Sequence, residues 1–285
     1  MFQYAVGRCL AARNSDDLFL DLTFLLDRTP RKKIVFRDYD LDALSVTPRL
    51  TLLSRLARAF PIPVLYLCLS QAISKCKNAL GAQRYVEEGA FAFHRDVLES
   101  KGNLYLRGYW QSAKYFEAVE STIREEFTPP AVSAATRKLG EVIQSCNAVC
   151  VHVRRGDFVS LPISIASHGF VGLEYYVKGA ELIMARVSHP HFFVFSDEIE
   201  WCTENLKFHP PATYVSHEYA GHKSTEHLWL MSQCKHFLIS NSTFAWWPAW
   251  LAENKDKVVI APRRWFRAAE GMSADDLIPE SWIRI

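Results

Sequence analysis

The second half of the chain alternates short apolar runs with segments of helical spacing, and this alternation restricts the fold more than any other feature. The runs lie at 148–153, 191–195, 212–215, 237–240 and 258–260, with helical spacing at 174–187, 198–206, 224–233 and 244–253 between them. A short, almost wholly apolar run suits a strand buried on both faces. Strands that alternate with helices build a parallel sheet from βαβ units. In such sheets ligands bind beyond the carboxyl ends of the strands, which directs attention to the residues just after 153, 195, 215 and 240.

The first half reads as mixed. Helical spacing is expected at 4–12, 49–60, 112–127 and 133–146, and strands at 18–22, 33–36 and 104–109, with the chain broken at Pro129 and Pro130. At 285 residues, 49% of them hydrophobic, the chain can bury one large core or two modest ones. A boundary near 140 gives domains at 1–140 and 141–285.

The formal net charge of +2 lacks the basic bias of a nucleic-acid binder. Seven cysteines, an odd number without a CxxC pair, several of them inside apolar runs (Cys68, Cys150), read as reduced thiols packed like small hydrophobes. No signal peptide is visible, and no run approaches the roughly 20 apolar residues of a membrane span. The expected location is cytoplasmic, with any membrane contact peripheral, at the inner membrane.

Three strand ends carry polar motifs. After 148–153 the sequence reads His152-Val153-Arg154-Arg155-Gly156-Asp157. Two adjacent guanidinium forks suit phosphate oxygens, and Gly156 would let the backbone turn sharply. A structural ion-pair cluster explains the same residues equally well. After 191–195 come Ser196, Asp197 and Glu198, read as a helix cap and first-turn acid or as an acceptor for a base edge. After 237–240 come Asn241, Ser242, Thr243 and Phe244. Small polar residues at a helix start leave N–H groups free for an anion, although capping alone explains Ser242 or Thr243. Phe244, Trp247 and Leu251 share a helix face and are expected in the core.

Two metal readings compete. Asp38, Asp40 and Asp42 form a DxDxD string, but Ala43 and Arg49 occupy the glycine and glutamate positions of an EF-hand, so an exposed acidic loop is expected. His217, Glu218 and His222 miss the HExxH spacing by one residue, and Gly221 interrupts the helix. They read as a loop near the site, and no metal ligand is assigned.

HVRRGDF, FFVFSDE and LWLMSQCKHFLISNSTFAWWPAWL, in this order, resemble the signatures of glycosyltransferase family 11. So do MFQYAVGR at the start, GYWQSAKYF at 108–116 and VVIAPRRWF at 258–266, so that the resemblance spans nearly the whole chain. It implies an α/β, GT-B-like fold: two Rossmann-like domains, parallel sheets flanked by helices, and the GDP-fucose site in the second. It implies an inverting galactoside 2-α-L-fucosyltransferase that moves L-fucose from GDP-β-L-fucose to a terminal galactose, without metal or cofactor. The acceptor would be a surface polysaccharide or lipopolysaccharide repeat unit. By the same resemblance Arg154 contacts the β-phosphate, with Arg155 in support. His152 and Asp197 lie near the guanosine, and Ser242 and Thr243 near the phosphates, with Asn241 and Phe244 completing the donor site. Asp157 is the candidate base. The alternative is a sugar-nucleotide-binding or lectin-like protein of the same fold with impaired catalysis. Family members usually place an apolar strand and a glycine-rich loop, GGLGNQ, before MFQYA, whereas this sequence opens on Met1 and Phe2. A first sheet short of one strand is therefore expected.

Overall fold

The computed structural model describes residues 1–29, 36–60, 63–89, 91–267 and 273–285. They form two compact units, Met1–Phe127 with Asp275–Leu277, and Thr128–Ala274 with Ile278–Ile285.

In the first unit, α1 (Phe2–Asn14) buries Phe2, Tyr4, Val6, Cys9 and Leu10. It is tied to α6 (Glu120–Glu126), where the Glu126 carboxylate accepts from Tyr4 Oη and Arg8 Nε, both at 2.9 Å. Two parallel pairs occur among the described residues: β1 (Phe19–Leu20) with β2 (Arg49–Leu50), and β3 (Arg84–Glu87) with β4 (Leu104–Arg107). The helix expected over 49–60 thus opens as a strand, and α3 (Leu52–Ala59) begins only after Thr51, whose side chain accepts from the Ser54 N–H. Of the candidate strand at 33–36, only Phe36 is described.

Besides the short α2 (Thr23–Leu26) and α5 (Arg95–Leu98), the first unit has one long helix that was not anticipated. α4 (Pro63–Ala79) turns Leu67, Ser70 and Ser74 inward. Ser70 donates to the carboxylate of Asp21, which also accepts from Tyr105 Oη at 2.8 Å and from the Thr23 N–H at 2.9 Å. Burial pushes the Asp21 carboxyl up, but the bonds from Ser70 and Thr23 outweigh it and hold its pKa below the usual range. The same orientation leaves Cys68 exposed, so it is not packed as its apolar surroundings suggested. None of the seven cysteines is paired, and no helix among the described residues is long and apolar enough to cross a membrane.

The second unit is the sheet that the alternation predicts. Its strands are β5 (Asn147–Val153), β6 (Pro190–Ser196), β7 (Ala212–Tyr214), β8 (His236–Leu238), β9 (Val259–Ala261) and β10 (Ile283–Arg284). All pair in parallel, in the order β10-β9-β8-β5-β6-β7. The helices of this unit include α7 (Ala134–Gln144), α8 (Gly156–Ser160), α9 (Pro162–Ser167), α10 (Leu173–Met184), α11 (Ile199–Asn205), α12 (Thr225–Ser232) and α13 (Thr243–Leu251). The core joins Val149, Val151 and Val153 of β5, Phe192 and Val194 of β6, Leu238 of β8, and Tyr176 and Ile183 of α10. Gly179 lets α10 lie against β8, because a Cβ there would stand 2.3 Å from Leu238. The strand order reverses at β5: the chain runs outward through β6 and β7, then returns to β8 on the other side. Crevices open at such reversals, beyond the strand ends.

Asp21→Ala should destabilise the first unit by about 1–3 kcal/mol, because it strands several partly buried donors. Urea titration followed by a probe in that unit measures this. An unchanged midpoint would show that the Asp21 cluster does not hold α4.

Candidate active site

The ends of β5, β6 and β8 converge on one constellation. Asp197, just beyond β6, accepts from the backbone N–H of Arg155 at 2.9 Å and pairs with Arg154 Nη1 at 2.9 Å. Arg154 Nη2 also donates to Asp157 at 2.6 Å, and its guanidinium lies 5.6 Å from the Phe158 ring centre. The Arg154 side chain remains 26% exposed, against 11% for Asp157. Ordinary capping does not describe Asp197: α11 has Glu198 as its N-cap, without a side-chain bond.

Gly156 is needed for close approach rather than for a turn. A Cβ at that position would stand 2.4 Å from Asp197 Oδ2. The missing side chain lets the carboxylate reach both arginines.

Arg155 is clamped. Its Nε donates to Glu198 at 2.9 Å. Its guanidinium lies 3.8 Å from the ring centre of Trp201 and 5.0 Å from that of Phe170. Desolvated stacking of this kind holds a guanidinium firmly. Arg155 therefore organises the loop, and Arg154 is the arginine left facing outward. Sequence reasoning singled out neither Trp201 nor Phe170. Trp201 sits four residues past Asp197 on the first turn of α11, and only that spacing hints at the contact.

His152 faces the reversal point. Its Nδ1 lies 2.8 Å from Ser240 Oγ, bridging β5 to the segment after β8. Burial, with Arg154 and His227 nearby, lowers its pKa to about 3. The ring is therefore neutral and can exchange hydrogen bonds without bringing charge.

Beyond β8 the residues divide. Asn241 is buried, and its Nδ2 lies within 3.1–3.2 Å of the carbonyls of His168, Gly169 and Trp265. It pins two loops together, while its Oδ1 is buried without a partner. Ser242 is the N-cap of α13 and makes no side-chain cap bond. The first N–H groups of that helix, at Thr243 and Phe244, have no acceptor within it. Trp247 and Leu251 are buried as expected, but Phe244 is only half-buried. Its ring centre lies 5.9 Å from that of His152, so it belongs to the site rather than to the core.

The 216–224 loop after β7 carries backbone strain. Lys223 and Ser224 both have positive φ (54° and 59°), and non-glycine residues in that region cluster at functional sites. His227 Nε2 lies 3.0 Å from the Ser216 carbonyl. Neither metal reading is assembled: Asp38 pairs with Arg28, and no group of three His, Cys, Asp or Glu side chains placed to hold a metal occurs among the described residues.

Comparison with known proteins agrees with this architecture. Residues 59–285 match the family described as Glycosyl transferase family 11. An Alpha-1,2-colitosyltransferase of Escherichia coli is 32% identical over 100% of this chain and 94% of its own. An O-antigen biosynthesis glycosyltransferase of Escherichia coli, WbnK, is 27% identical over 100% of this chain and 96% of its own. A Galactoside alpha-(1,2)-fucosyltransferase 1 of Leontocebus fuscicollis is 33% identical over 55% of this chain and 45% of its own.

Because His152 is neutral when folded and ordinary when unfolded, the unfolded chain binds the extra proton between pH about 6.5 and about 3. Stability should therefore fall as pH drops through that window, by up to about 1.4 kcal/mol per pH unit for this one group. His152→Gln should flatten the stability profile there by about one proton. Parallel profiles for the two proteins would contradict the assignment.

Proposed function

The chain belongs to glycosyl transferase family 11, and from that premise we propose that it transfers L-fucose from GDP-β-L-fucose to the 2-hydroxyl of a terminal galactose. The observation that carries the reading is the Arg154–Asp157–Asp197 constellation at the reversal point of the sheet, with His152 just before it against Ser240 and Phe244. Breaking the bond between the sugar C1 and the β-phosphate oxygen builds negative charge on the departing GDP. Preorganised guanidinium and backbone N–H donors stabilise that charge. Arg154 is the outward-facing cation and takes the β-phosphate. Arg155, stacked on Trp201, keeps the loop in shape. The neutral His152 and the half-buried Phe244 line the nucleotide crevice without adding charge.

A diphosphate that draws Arg154 Nη2 toward itself loosens its ion pair with Asp157. That carboxylate accepts the proton of the acceptor 2-hydroxyl as that oxygen bonds to C1 from the face opposite the leaving group. One bond forms, one breaks, and the anomeric configuration inverts. Developing charge is met by arginine and helix amides, so the reaction is proposed to need no divalent metal. Acceptor recognition is assigned to the first unit, which has a concavity of about 630 Å³ bordered by Arg13, Phe93, Arg95 and Glu117 among others. The name of one bacterial relative, an O-antigen biosynthesis glycosyltransferase, favours an O-antigen repeat as acceptor.

A second reading keeps the α-1,2 linkage and changes the donor sugar to colitose, because a relative matching the full chain carries that activity in its name. Competing GDP-fucose against GDP-colitose with a β-galactoside separates the two.

Arg154→Ala should lower kcat/KM by about a hundredfold to a thousandfold, the loss expected for one transition-state donor. Arg154→Lys should not restore it, since an ammonium cannot reproduce the guanidinium fork. A variant that retained half of the wild-type value would overturn the role of Arg154. EDTA should leave the rate unchanged. Loss on chelation with recovery in manganese would overturn the metal-free reading.

A further inference from the structure

The exposed side of α4 has the wrong chemistry for a face in water. At about 100° per residue, Leu65, Cys68, Leu69, Ala72, Ile73 and Cys76 fall in one stripe along the helix, and all six are exposed. Lys75 and Lys77, also exposed, fall on its two edges. The opposite side is fixed inward through Ser70 and the Asp21 cluster, so rotation of the helix cannot bury the stripe.

Along the sequence the charge is one-sided, although Arg49 is paired with Asp17 and Asp21 lies on the inward side of α4. From 43 to 86 the sequence has six Lys or Arg side chains and no Asp or Glu. The whole chain has 33 basic and 31 acidic side chains, so everything outside this segment is left with 27 against 31. An apolar stripe flanked by cations is the pattern of a helix lying in a membrane interface, its apolar side in the acyl boundary and its cations at anionic headgroups. A two-fold contact with a second copy would instead join two helix faces that both lack an acidic side chain to pair these cations.

We propose that α4 docks the protein on the surface of an anionic phospholipid bilayer, with the Leu65–Leu69–Ile73 stripe inserted and Lys75 and Lys77 at the phosphates. The proposal goes beyond the transfer reaction and does not depend on which sugar is moved.

Flotation with vesicles of phosphatidylethanolamine and phosphatidylglycerol, against vesicles of phosphatidylcholine alone, tests it. The wild type should float with the anionic vesicles, and less so as salt is raised. Leu69→Asp with Ile73→Asp, and separately Lys75→Glu with Lys77→Glu, should each lower binding about tenfold or more. Their melting temperatures should stay unchanged, because these side chains are already exposed. A wild type that stays with the soluble fraction overturns the proposal, as do variants that float like the wild type. A dimer dispersed by the Leu69 and Ile73 changes, without flotation, would also overturn it and assign the face to a second copy.

Discussion

The Asp197 carboxylate is the interaction on which the site depends. It stands beyond β6 and holds two points beyond β5, the Arg155 N–H and the Arg154 guanidinium. Parallel strands fix the spacing of their own hydrogen-bonded residues but leave the loops beyond their ends undetermined. A charge-assisted bond between neighbouring strand ends supplies that constraint. The absent side chain at Gly156 makes it sterically possible. Without Asp197, two adjacent cations would lie together at a strand end with Asp157 and Glu198 as their remaining partners.

The rest of the second unit supports this clasp. Tyr175 Oη donates to the Ile239 carbonyl at 2.6 Å, and Tyr176 Oη to that of His152 at 3.3 Å. The two phenols of α10 therefore hold the backbone on both sides of the reversal point, and burial raises their pKa values well above the ordinary one. Neutral His152 joins the same two segments through Ser240. The crevice is thus framed by uncharged contacts, with its charge gathered on the arginine loop.

The fold of the second unit was legible because strands buried on both faces must be almost wholly apolar, as 148–153 and 191–195 are apart from His152 and His191. β10 escaped notice because a two-residue strand has no periodicity to read. α4 escaped because its inward side carries two serines beside Leu67 while leucine and isoleucine face outward, the reverse of an ordinary surface helix. The site was legible as a set of strand ends, but the partners within it were not. Capping chemistry suited Asp197 locally, and only the pairing of β5 with β6 brings it to Arg154. Asn241 was expected within the donor site, and its sequence position gave no sign that three carbonyls from distant loops surround its amide.

The central claim is that Asp197 acts on the donor through Arg154. The direct measurement is the calorimetric affinity for GDP of the wild type, Arg154→Ala, Asp197→Ala and the double variant. If Asp197 works by holding Arg154, the double variant loses no more affinity than Arg154→Ala alone, to within about 0.5 kcal/mol. Losses that simply add would show that Asp197 and Arg154 serve the nucleotide independently, and would contradict the account.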